Sequence, residues 1–366
     1  MKVVMVSKAC VVGAYQRKLE ELALQPDLEL TCVVPPYWLQ DGRRQRLERA
    51  HLRGYRLCVL PLRFNGHFHL FHFVGLGPML AQLRPDVVHV DEEPYNLATG
   101  LAMRQAAKRG APRLFFTWQN LMRRYPPPFG WWERYCLDSA QYAIAGSAEA
   151  GQVLYAKGYA GPVAVIPQFG VDPDVFRPRP RAGADEFRIG YAGRLVEEKG
   201  LPILLEAVAG LDGAWRLQLV GSGPLQSALA LQAAALGIGD RVEVLPHAPS
   251  SEMPGVLAGW DALALPSLTR PNWKEQFGRV LVEAMASGIP CVGSNSGEIP
   301  QVLGDAGLVV REGDAPALRA ALRRLQEDRA LRAELAARGR ARALDHFTHA
   351  RIAEQTYAVY RSMLAA

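Results

Sequence analysis

Two glutamates with seven residues between them, Glu275 and Glu283, are the most informative residues of this 366-residue chain. The surrounding sequence predicts a loop that opens into a helix, with Glu275 just before the helix and Glu283 well inside it. Between them, the backbone N–H groups of Phe277 and Gly278 would face outward at the helix start, which suits an anion. One phosphate-binding helix end beside two hydroxyl-binding carboxylates suits a nucleotide-sugar, with one carboxylate on the ribose and the other on the sugar.

A second group of residues that could bind phosphate follows Gly193, at the end of a predicted strand. A short loop carries Arg194, and Lys199 lies where the next helix begins. Two cations at the carboxyl end of a strand could neutralise a pyrophosphate, both when it is bound and when it departs as a leaving group. The alternative is that Arg194 and Lys199 form surface pairs with Glu197 or Glu198, since exposed pairs are common and weak.

Two glycine turns at strand ends are weak signals when taken alone. Gly221 opens the turn Gly221-Ser222-Gly223-Pro224, for which simple strand-to-helix geometry is the competing interpretation. The loop from Ser7 to Ala14 contains only one glycine, Gly13, and lacks the full dinucleotide fingerprint. A helix that starts after Gly13 could still point its end at a ligand.

The elements that would position these residues follow a regular pattern. Short apolar runs alternate with helical stretches, which predicts an α/β fold with parallel sheets covered by helices on both faces. The segment Pro167 to Asp185 has four prolines among charged residues and is interpreted as a linker, after which the pattern restarts at Phe187. Two similar halves joined by a hinge imply a cleft between them, a common location for ligand sites.

Charge and cysteine usage narrow the classes of function. The net charge of +6 is spread along the chain. This favours binding of an acidic ligand or weak binding to anionic lipid, and it argues against binding of nucleic acid. The five cysteines include no Cys-x-x-Cys pair, so neither a disulfide framework nor a zinc site is expected. No apolar run approaches the length of a membrane span. We therefore expect a cytoplasmic protein.

Together these motifs resemble those of the family 4 retaining glycosyltransferases, which have the GT-B architecture: two Rossmann-like domains with parallel sheets that face each other across a cleft. The resemblance covers most of the chain and is clearest from Gly190 to Gly297. It rests on Gly193-Arg194-Leu195…Glu198-Lys199-Gly200, on the paired Glu275 and Glu283, and on the hinge-like segment Phe169-Gly170-Val171-Asp172…Phe176-Arg177-Pro178. It implies an acceptor-binding domain over residues 1–168, a donor-binding domain over 169–345, and a terminal helix within 346–366 that crosses back to the first domain.

The resemblance also implies roles in the donor site. Arg194 and Lys199 would hold the donor diphosphate, Glu275 would meet sugar hydroxyls and Glu283 would bind the ribose. Base recognition would come from loops near Val220–Gly223 and Leu245–Ala248. Besides the four residues with these roles, the implied donor contacts are Gly13, Gly193, Gly221, His247, Phe277 and Gly278. Neither a metal nor another cofactor is implied, because the two cations would neutralise the diphosphate.

One position departs from the pattern of many relatives, which place a histidine close to the donor sugar. Here the stretch reads Phe116-Thr117-Trp118-Gln119-Asn120, so Gln119 occupies that position. A glutamine can hydrogen-bond a sugar hydroxyl but cannot take a proton near neutral pH. This argues against a protein base at Gln119 and is compatible with front-face substitution, in which the departing phosphate accepts the acceptor's proton.

Candidate contacts to the acceptor lie in the first half. Glu93 follows the strand that ends at Val90, and could orient the acceptor or supply acid–base help; alternatively it caps the next helix. His67 and His69 lie in an aromatic stretch that suits sugar stacking and hydrogen bonding. With His72 they form a cluster of three histidines, which does not predict zinc because no fourth ligand follows at a useful spacing.

An aromatic run, Phe129 to Tyr135, lies beside Arg123, Arg124 and Arg134. Such a group could contact a membrane surface, or its aromatic rings could pack in the core of the first domain. The first interpretation would place the protein peripherally on the inner face of the membrane.

We therefore expect transfer of a hexose from a nucleoside-diphosphate sugar to an acceptor hydroxyl with retention of configuration. The resemblance implies that the acceptor is a sugar, polysaccharide or lipid-linked sugar of the cell envelope. No nucleic-acid partner is expected. The alternatives are a nucleotide-sugar epimerase or hydrolase on the same fold, and a non-catalytic nucleotide-sugar-binding subunit.

Overall fold

The computed structural model describes residues 1–40, 42–179 and 186–365. The chain divides into two compact units, one formed by Met1–Gly170 with His349–Ala366 and the other by Val171–Thr348. Residues 180–185 of the predicted linker lie outside the described residues. Each unit has its own main sheet.

Parallel strands form the main sheet of the first unit. In chain order, the strands of this unit are β1 (Lys2–Val6), β2 (Glu29–Val34), β3 (Tyr37–Gln40), β4 (Arg43–Arg46), β5 (Arg56–Val59), β6 (Leu62–Arg63), β7 (His72–Phe73), β8 (Val87–Val90), β9 (Arg113–Thr117), β10 (Tyr142–Ala145) and β11 (Val163–Val165). The seven-stranded sheet has the order β11-β10-β9-β8-β1-β2-β5, and each neighbouring pair is parallel. Every residue of β8 is buried, as expected for a central strand covered on both faces.

The helices of the first unit follow its strands. They are α1 (Arg17–Ala23), α2 (Leu76–Leu83), α3 (Leu97–Ala107), α4 (Phe129–Ser139) and α5 (Ala148–Ala156). A 3₁₀ turn over Gly13–Gln16 precedes α1. At the start of α5, the Oγ atom of Ser147 accepts a hydrogen bond from the Ala150 amide at 3.2 Å, which satisfies one of the amides that the first helical turn leaves without a backbone partner.

The second unit repeats this architecture with a six-stranded parallel sheet. Its strands are β12 (Phe187–Ala192), β13 (Trp215–Val220), β14 (Val242–Leu245), β15 (Ala262–Leu265), β16 (Cys291–Ser294) and β17 (Leu308–Val310), in the order β14-β13-β12-β15-β16-β17. Its helices are α6 (Leu201–Ala209), α7 (Gln226–Ala235), α8 (Met253–Leu257), α9 (Arg279–Ala286), α10 (Ile299–Leu303), α11 (Ala315–Glu327) and α12 (Arg329–His346). The two parallel sheets confirm the predicted α/β class.

The last helix, α13 (His349–Ala365), packs on the first unit. Its buried Tyr360 lies with Oη 2.7 Å from Nδ1 of His89 on β8. Tyr357 donates a hydrogen bond from its hydroxyl to the carbonyl oxygen of Pro26 at 2.9 Å, in the segment after α1. The carboxyl-terminal helix is therefore joined to the first unit by both polar and core contacts.

Candidate functional site

A cavity of about 230 Å³ lies at the carboxyl edge of the second sheet. The last residues of β12, β13 and β15 contribute to its wall. Since these strands are parallel, the loops that leave them converge at the same edge, which is where ligands bind in sheets of this kind. The predicted donor-site residues that the structure brings together around this cavity are Gly193, Lys199, His247, Glu275, Gly278 and Glu283.

Lys199 and Glu275, which both line the cavity, form an ion pair. The Nζ atom of Lys199 lies 2.6 Å from Oε2 of Glu275, and the Ser267 hydroxyl donates a hydrogen bond to the same oxygen at 2.8 Å. The ring centroid of Trp273 lies 4.8 Å from that Nζ atom. Glu275 is 7% exposed, and these two donors help to hold its carboxylate in place. Sequence reasoning identified Lys199 and Glu275 but not Ser267 or Trp273.

The backbone of Glu275 is fixed by the loop that follows β16. The amide of Glu298 donates to the Glu275 carbonyl at 3.1 Å. Gly297, just before it, has φ +53°, and a Cβ atom there would lie 2.0 Å from the same carbonyl oxygen. Only glycine allows this approach, so Gly297 is a positioning residue that sequence reasoning missed.

Glu283, also in the cavity wall, is buried on α9 and pairs with Arg279. The Nε atom of Arg279 lies 2.9 Å from Oε1 of Glu283, one helical turn away, and the Arg279 guanidinium also approaches the Ser250 hydroxyl at 3.4 Å. Burial raises the pKa of Glu283, and the adjacent guanidinium partly offsets this by lowering it. The sequence analysis predicted that Glu275 and Glu283 belong to one site. It did not predict the guanidinium of Arg279 beside Glu283.

The start of α9 lies between these two carboxylates. The Gly278 amide has no hydrogen-bond partner among the residues that the structure describes, and Gly278 lines the cavity. A helix start with an open amide suits an anion, because the helix dipole and the N–H group both favour negative charge. Phe277 lies outside the cavity wall, since its ring packs edge-on against Phe347 with centroids 5.7 Å apart.

Two other predicted donor contacts lie outside the wall of this cavity. The Arg194 side chain is 68% exposed and lies 3.5 Å from the carboxylate of Glu198, which is the surface pairing that the sequence left open. Gly221 packs against the loop that carries Gly193, where a Cβ atom would lie 1.9 Å from the Gly193 carbonyl oxygen. Gly221 therefore supports the loop that carries Gly193 and Arg194.

In the first unit, the Gly13 amide has a protein partner. It donates to Oε2 of Glu48 at 2.6 Å, and a Cβ atom at Gly13 would lie 2.8 Å from both that oxygen and Cβ of Ala50. The amide of Gly13, a donor contact implied by the resemblance, is thus bound by a carboxylate of this chain in the structure.

Glu93 holds together the loops that follow β8 and β9. Its carboxylate accepts hydrogen bonds from the Thr117 hydroxyl at 2.6 Å and from the Trp118 amide at 2.8 Å. Burial raises the pKa of Glu93 to about 7, although both hydrogen bonds act in the opposite direction. The carboxylate makes no cap to α3; instead the backbone oxygen of Glu93 accepts from the Thr99 hydroxyl. Glu93 therefore positions the segment that carries Gln119.

The Gln119 side chain is bound to a buried ion pair. Its Oε1 atom accepts from Nζ of Lys157 at 2.9 Å, and Lys157 lies 2.5 Å from a carboxylate oxygen of Glu133 on α4. An ammonium group can only donate, so the oxygen of Gln119 must face Lys157 and the amide nitrogen faces the Tyr125 hydroxyl, 3.3 Å away. Sequence reasoning found Gln119 and missed Lys157 and Glu133, which lie 38 and 14 positions away in the printed sequence.

The two candidate acceptor histidines lie in different environments. His67 is exposed, whereas His69 lies among the rings of Tyr95, Tyr125 and Phe129 at centroid distances of 5.4, 5.9 and 5.1 Å. Burial lowers the pKa of His69, so the neutral imidazole is favoured there. Within the described ranges, no group of three His, Cys, Asp or Glu side chains is placed to hold a metal ion.

The aromatic run on α4 has one buried and one exposed side. Cys136 and Leu137 are buried, but Trp131 is 67% exposed and Arg134 lies on the same exposed side. The preceding loop exposes Met122, Arg123 and Arg124, so apolar and basic side chains share this part of the surface. Among the residues that the structure describes, no helix is both long enough and apolar enough to cross a bilayer.

Comparison with protein families gives two matches. The family model described as Glycosyltransferase Family 4 matches residues 27–209, and the one described as Glycosyl transferases group 1 matches residues 174–342. The first covers half of the chain, and the second contains the whole cavity described above.

Known proteins with similar sequences and structures agree with these matches. The MMP alpha-(1->4)-mannosyltransferase of Mycolicibacterium hassiacum is 35% identical over 55% of this chain and 48% of its own length. The GDP-mannose-dependent alpha-(1-6)-phosphatidylinositol monomannoside mannosyltransferase of Mycolicibacterium smegmatis is 34% identical over 51% of this chain and 54% of its own length. The chain thus spans about half the length of these curated relatives. Sucrose-phosphate synthase from Thermosynechococcus elongatus has a TM-score of 0.75 over 100% of this chain and 99% of that chain, at 21% identity. The predicted GT-B fold is thereby confirmed.

Proposed function

The chain belongs to glycosyltransferase family 4, and on this premise we propose that it transfers a hexose from a nucleoside-diphosphate sugar to an acceptor hydroxyl. The observation that carries the proposal is the cavity of the second unit, whose wall contains the Lys199–Glu275 pair, Glu283 and the open start of α9. A cation, an open amide and two carboxylates match the anionic and hydroxyl groups of such a donor.

Each group of the cavity has a proposed partner on the donor. Lys199 and the Gly278 amide would bind the diphosphate, and Arg194 would add a second cation from its exposed loop. Glu275 would accept hydrogen bonds from hydroxyls of the transferred sugar, and Glu283 would accept them from the ribose. His247 also lines the cavity and would lie beside the base.

We further propose front-face substitution with retention of configuration. The bond from the anomeric carbon to the phosphate oxygen breaks, and the acceptor oxygen bonds to that carbon on the same face. The acceptor's proton passes to the departing phosphate oxygen, so no protein base is required. Gln119 fits this scheme because its amide does not titrate near neutral pH. Neutralisation by Lys199 and Arg194 would make a metal unnecessary.

The acceptor is proposed to be a cell-envelope polysaccharide or glycolipid. One relative is named for a phosphatidylinositol monomannoside, and that supports a lipid-linked acceptor. The aromatic ring of His69 and the neighbouring Tyr95 and Tyr125 form a surface suited to a sugar ring, and Glu93 lies close to them in the first unit.

A peripheral contact with an anionic membrane would bring the enzyme to such an acceptor. Trp131, with Arg123, Arg124 and Arg134, has the composition of an interfacial patch. We expect Trp131→Ala to weaken binding to vesicles of phosphatidylglycerol and phosphatidylcholine about tenfold in a sedimentation assay, because a large apolar side chain no longer inserts. Leu231→Ala is the matched control, since Leu231 is 73% exposed on α7 and outside the patch. Equal binding of both variants would contradict the membrane contact.

A thermal-shift panel of UDP, GDP, ADP and their hexose conjugates tests the proposed function directly. A ligand that binds only the folded protein raises the free energy of unfolding by mass action, by about 2.7 kcal/mol at 100 times its Kd. We expect one base to stand out, with GDP and GDP-mannose included because of the relative that depends on GDP-mannose. The corresponding nucleoside is the control, because it lacks the diphosphate that Lys199 would bind. If no diphosphate stabilises the protein at millimolar concentration, the proposed function is wrong.

A further inference from the structure

Arg279 is the first residue of α9 and lies on the cavity wall beside Glu283. The two side chains are one helical turn apart, with Nε of Arg279 2.9 Å from Oε1 of Glu283. The arginine side chain is 35% exposed, whereas that of the glutamate is 7% exposed. The pair therefore joins a half-exposed cation to a nearly buried acid that opens onto the cavity.

We propose that Arg279 is a positioning residue that keeps Glu283 ionised and oriented, so that this carboxylate can accept hydrogen bonds from the ribose hydroxyls of the donor. This inference rests on the proposed function, because it assigns a partner within the donor site. Arg279 holds Oε1, and among the described residues Oε2 of Glu283 has no hydrogen-bond partner. That oxygen is the one that a ribose hydroxyl would use.

The charge state of Glu283 decides whether its carboxylate can accept hydrogen bonds from the ribose hydroxyls. An ionised carboxylate accepts on both oxygens, whereas a protonated one must donate from one of them. Burial raises the pKa of Glu283, and the contacts with Arg279 are what lower it again. Without the guanidinium, the protonated form would be favoured over a wider range of pH.

The other titratable groups around α9 do not replace Arg279. Lys199 and Glu275 line the same cavity but are paired with each other, and His247 lies on the loop after β14. On β16, the Cys291 thiol faces the Leu281 carbonyl oxygen, and on α12 the Arg340 guanidinium donates to the Ala286 carbonyl oxygen. In the described part of the chain, the guanidinium of Arg279 is thus the cation in contact with Glu283.

If Arg279 only stabilised the fold, its substitution would have different measurable effects. A pair at this spacing on a helix surface contributes little to stability, and its loss would lower the melting temperature only slightly. Such a loss would change neither the preference for a ribose over a 2′-deoxyribose nor its dependence on pH. These two readouts therefore separate positioning from packing.

The experiment compares the parent with Arg279→Met, Arg279→Lys and Glu283→Gln. For whichever of UDP, GDP or ADP stabilises the protein most, isothermal titration calorimetry gives the Kd of the nucleotide and of its 2′-deoxy form from about pH 5.5 to about pH 8.5. The parent should prefer the ribonucleotide about tenfold at the alkaline end of this range, because the ionised Glu283 accepts a hydrogen bond that the 2′-deoxy form cannot donate. Arg279→Lys should retain most of this preference.

In Arg279→Met the preference should vanish at the acidic end and return as pH rises, because an acid with a raised pKa ionises only above it. Glu283→Gln should lack the preference at every pH. A preference in Arg279→Met that equals the parent's at every pH would overturn this inference while the proposed function stands. If the parent bound no nucleoside diphosphate, the proposed function would fall, and the inference with it.

Discussion

Arg194→Ala is expected to lower kcat about 10²- to 10³-fold while the melting temperature stays within about 2 °C of the parent value. The Arg194 side chain is 68% exposed, and its ion-pair partner Glu198 is 3.5 Å away. Exposed pairs with this geometry contribute little to stability. The kinetic loss follows from the proposed role, since the negative charge on the leaving diphosphate grows in the transition state and a second cation would stabilise it there.

Arg338→Ala provides the control for this prediction. Arg338 is also an exposed arginine of the second unit, paired at 3.1 Å with Glu334 four residues earlier on α12. Steady-state kinetics of both variants should show a loss of kcat only in Arg194→Ala. If the two variants turned over equally fast, Arg194 would have no role in the reaction. A rise in KM at constant kcat would mean that Arg194 binds donor and transition state equally well.

The main sheets could be predicted from the sequence because their strands are buried and apolar. β8 and β12 are such runs. The predicted end of β8 at Val90 and the predicted start of β12 at Phe187 match the observed bounds. The ribbon of β3 and β4 was missed, since β4 is composed of four polar residues, three of them arginine, and carries no apolar alternation. α2 was missed as well, because Gly77 and Pro78 near its start are typical of turns.

The grouping of residues around the cavity of the second unit was predicted to the extent that these residues are close in sequence. Glu275 and Glu283 belong to one loop and helix, so helix geometry alone relates them. Arg279 had the same kind of signal, an arginine four residues before a glutamate in a predicted helix, and could have been found by it. Ser267 and Gly297 act on Glu275 through contacts that only the folded loops create.

In the first unit, the hydrogen-bond partners of Gly13 and Glu93 could not be predicted because they are distant in sequence. Gly13 was interpreted as a ligand contact, yet its amide is bound by Glu48, 35 residues later. Glu93 was interpreted as a cap or an acceptor contact, yet its carboxylate joins the loop of β8 to that of β9. In both cases a polar group has a protein partner, because a buried donor or acceptor without one is costly. The partner's identity depends on the register of the sheet.

Lys199→Met is expected to reduce both activity and stability, in contrast to Arg194→Ala. The Lys199 side chain is 14% exposed and that of Glu275 is 9% exposed, so removal of the ammonium takes a charged donor away from a nearly buried carboxylate, which still accepts from the Ser267 hydroxyl. We expect the free energy of unfolding to fall by about 2 kcal/mol, less than for a fully buried pair because some solvent reaches the site. We expect kcat to fall about 10³-fold, since the ammonium would contact the diphosphate.

The double variant Lys199→Met/Glu275→Gln separates these two losses. Replacing the carboxylate with a neutral amide removes the unpaired charge, so urea unfolding should show most of the lost stability restored relative to Lys199→Met. Activity should stay at the level of the single variant or lower, because the diphosphate would still lack the ammonium. Restored activity together with restored stability would mean that Lys199 acts only through the fold, and the donor site would then need another cation. If stability were not restored, the cost would arise from the packing of Lys199 under Trp273 and not from the charge on Glu275.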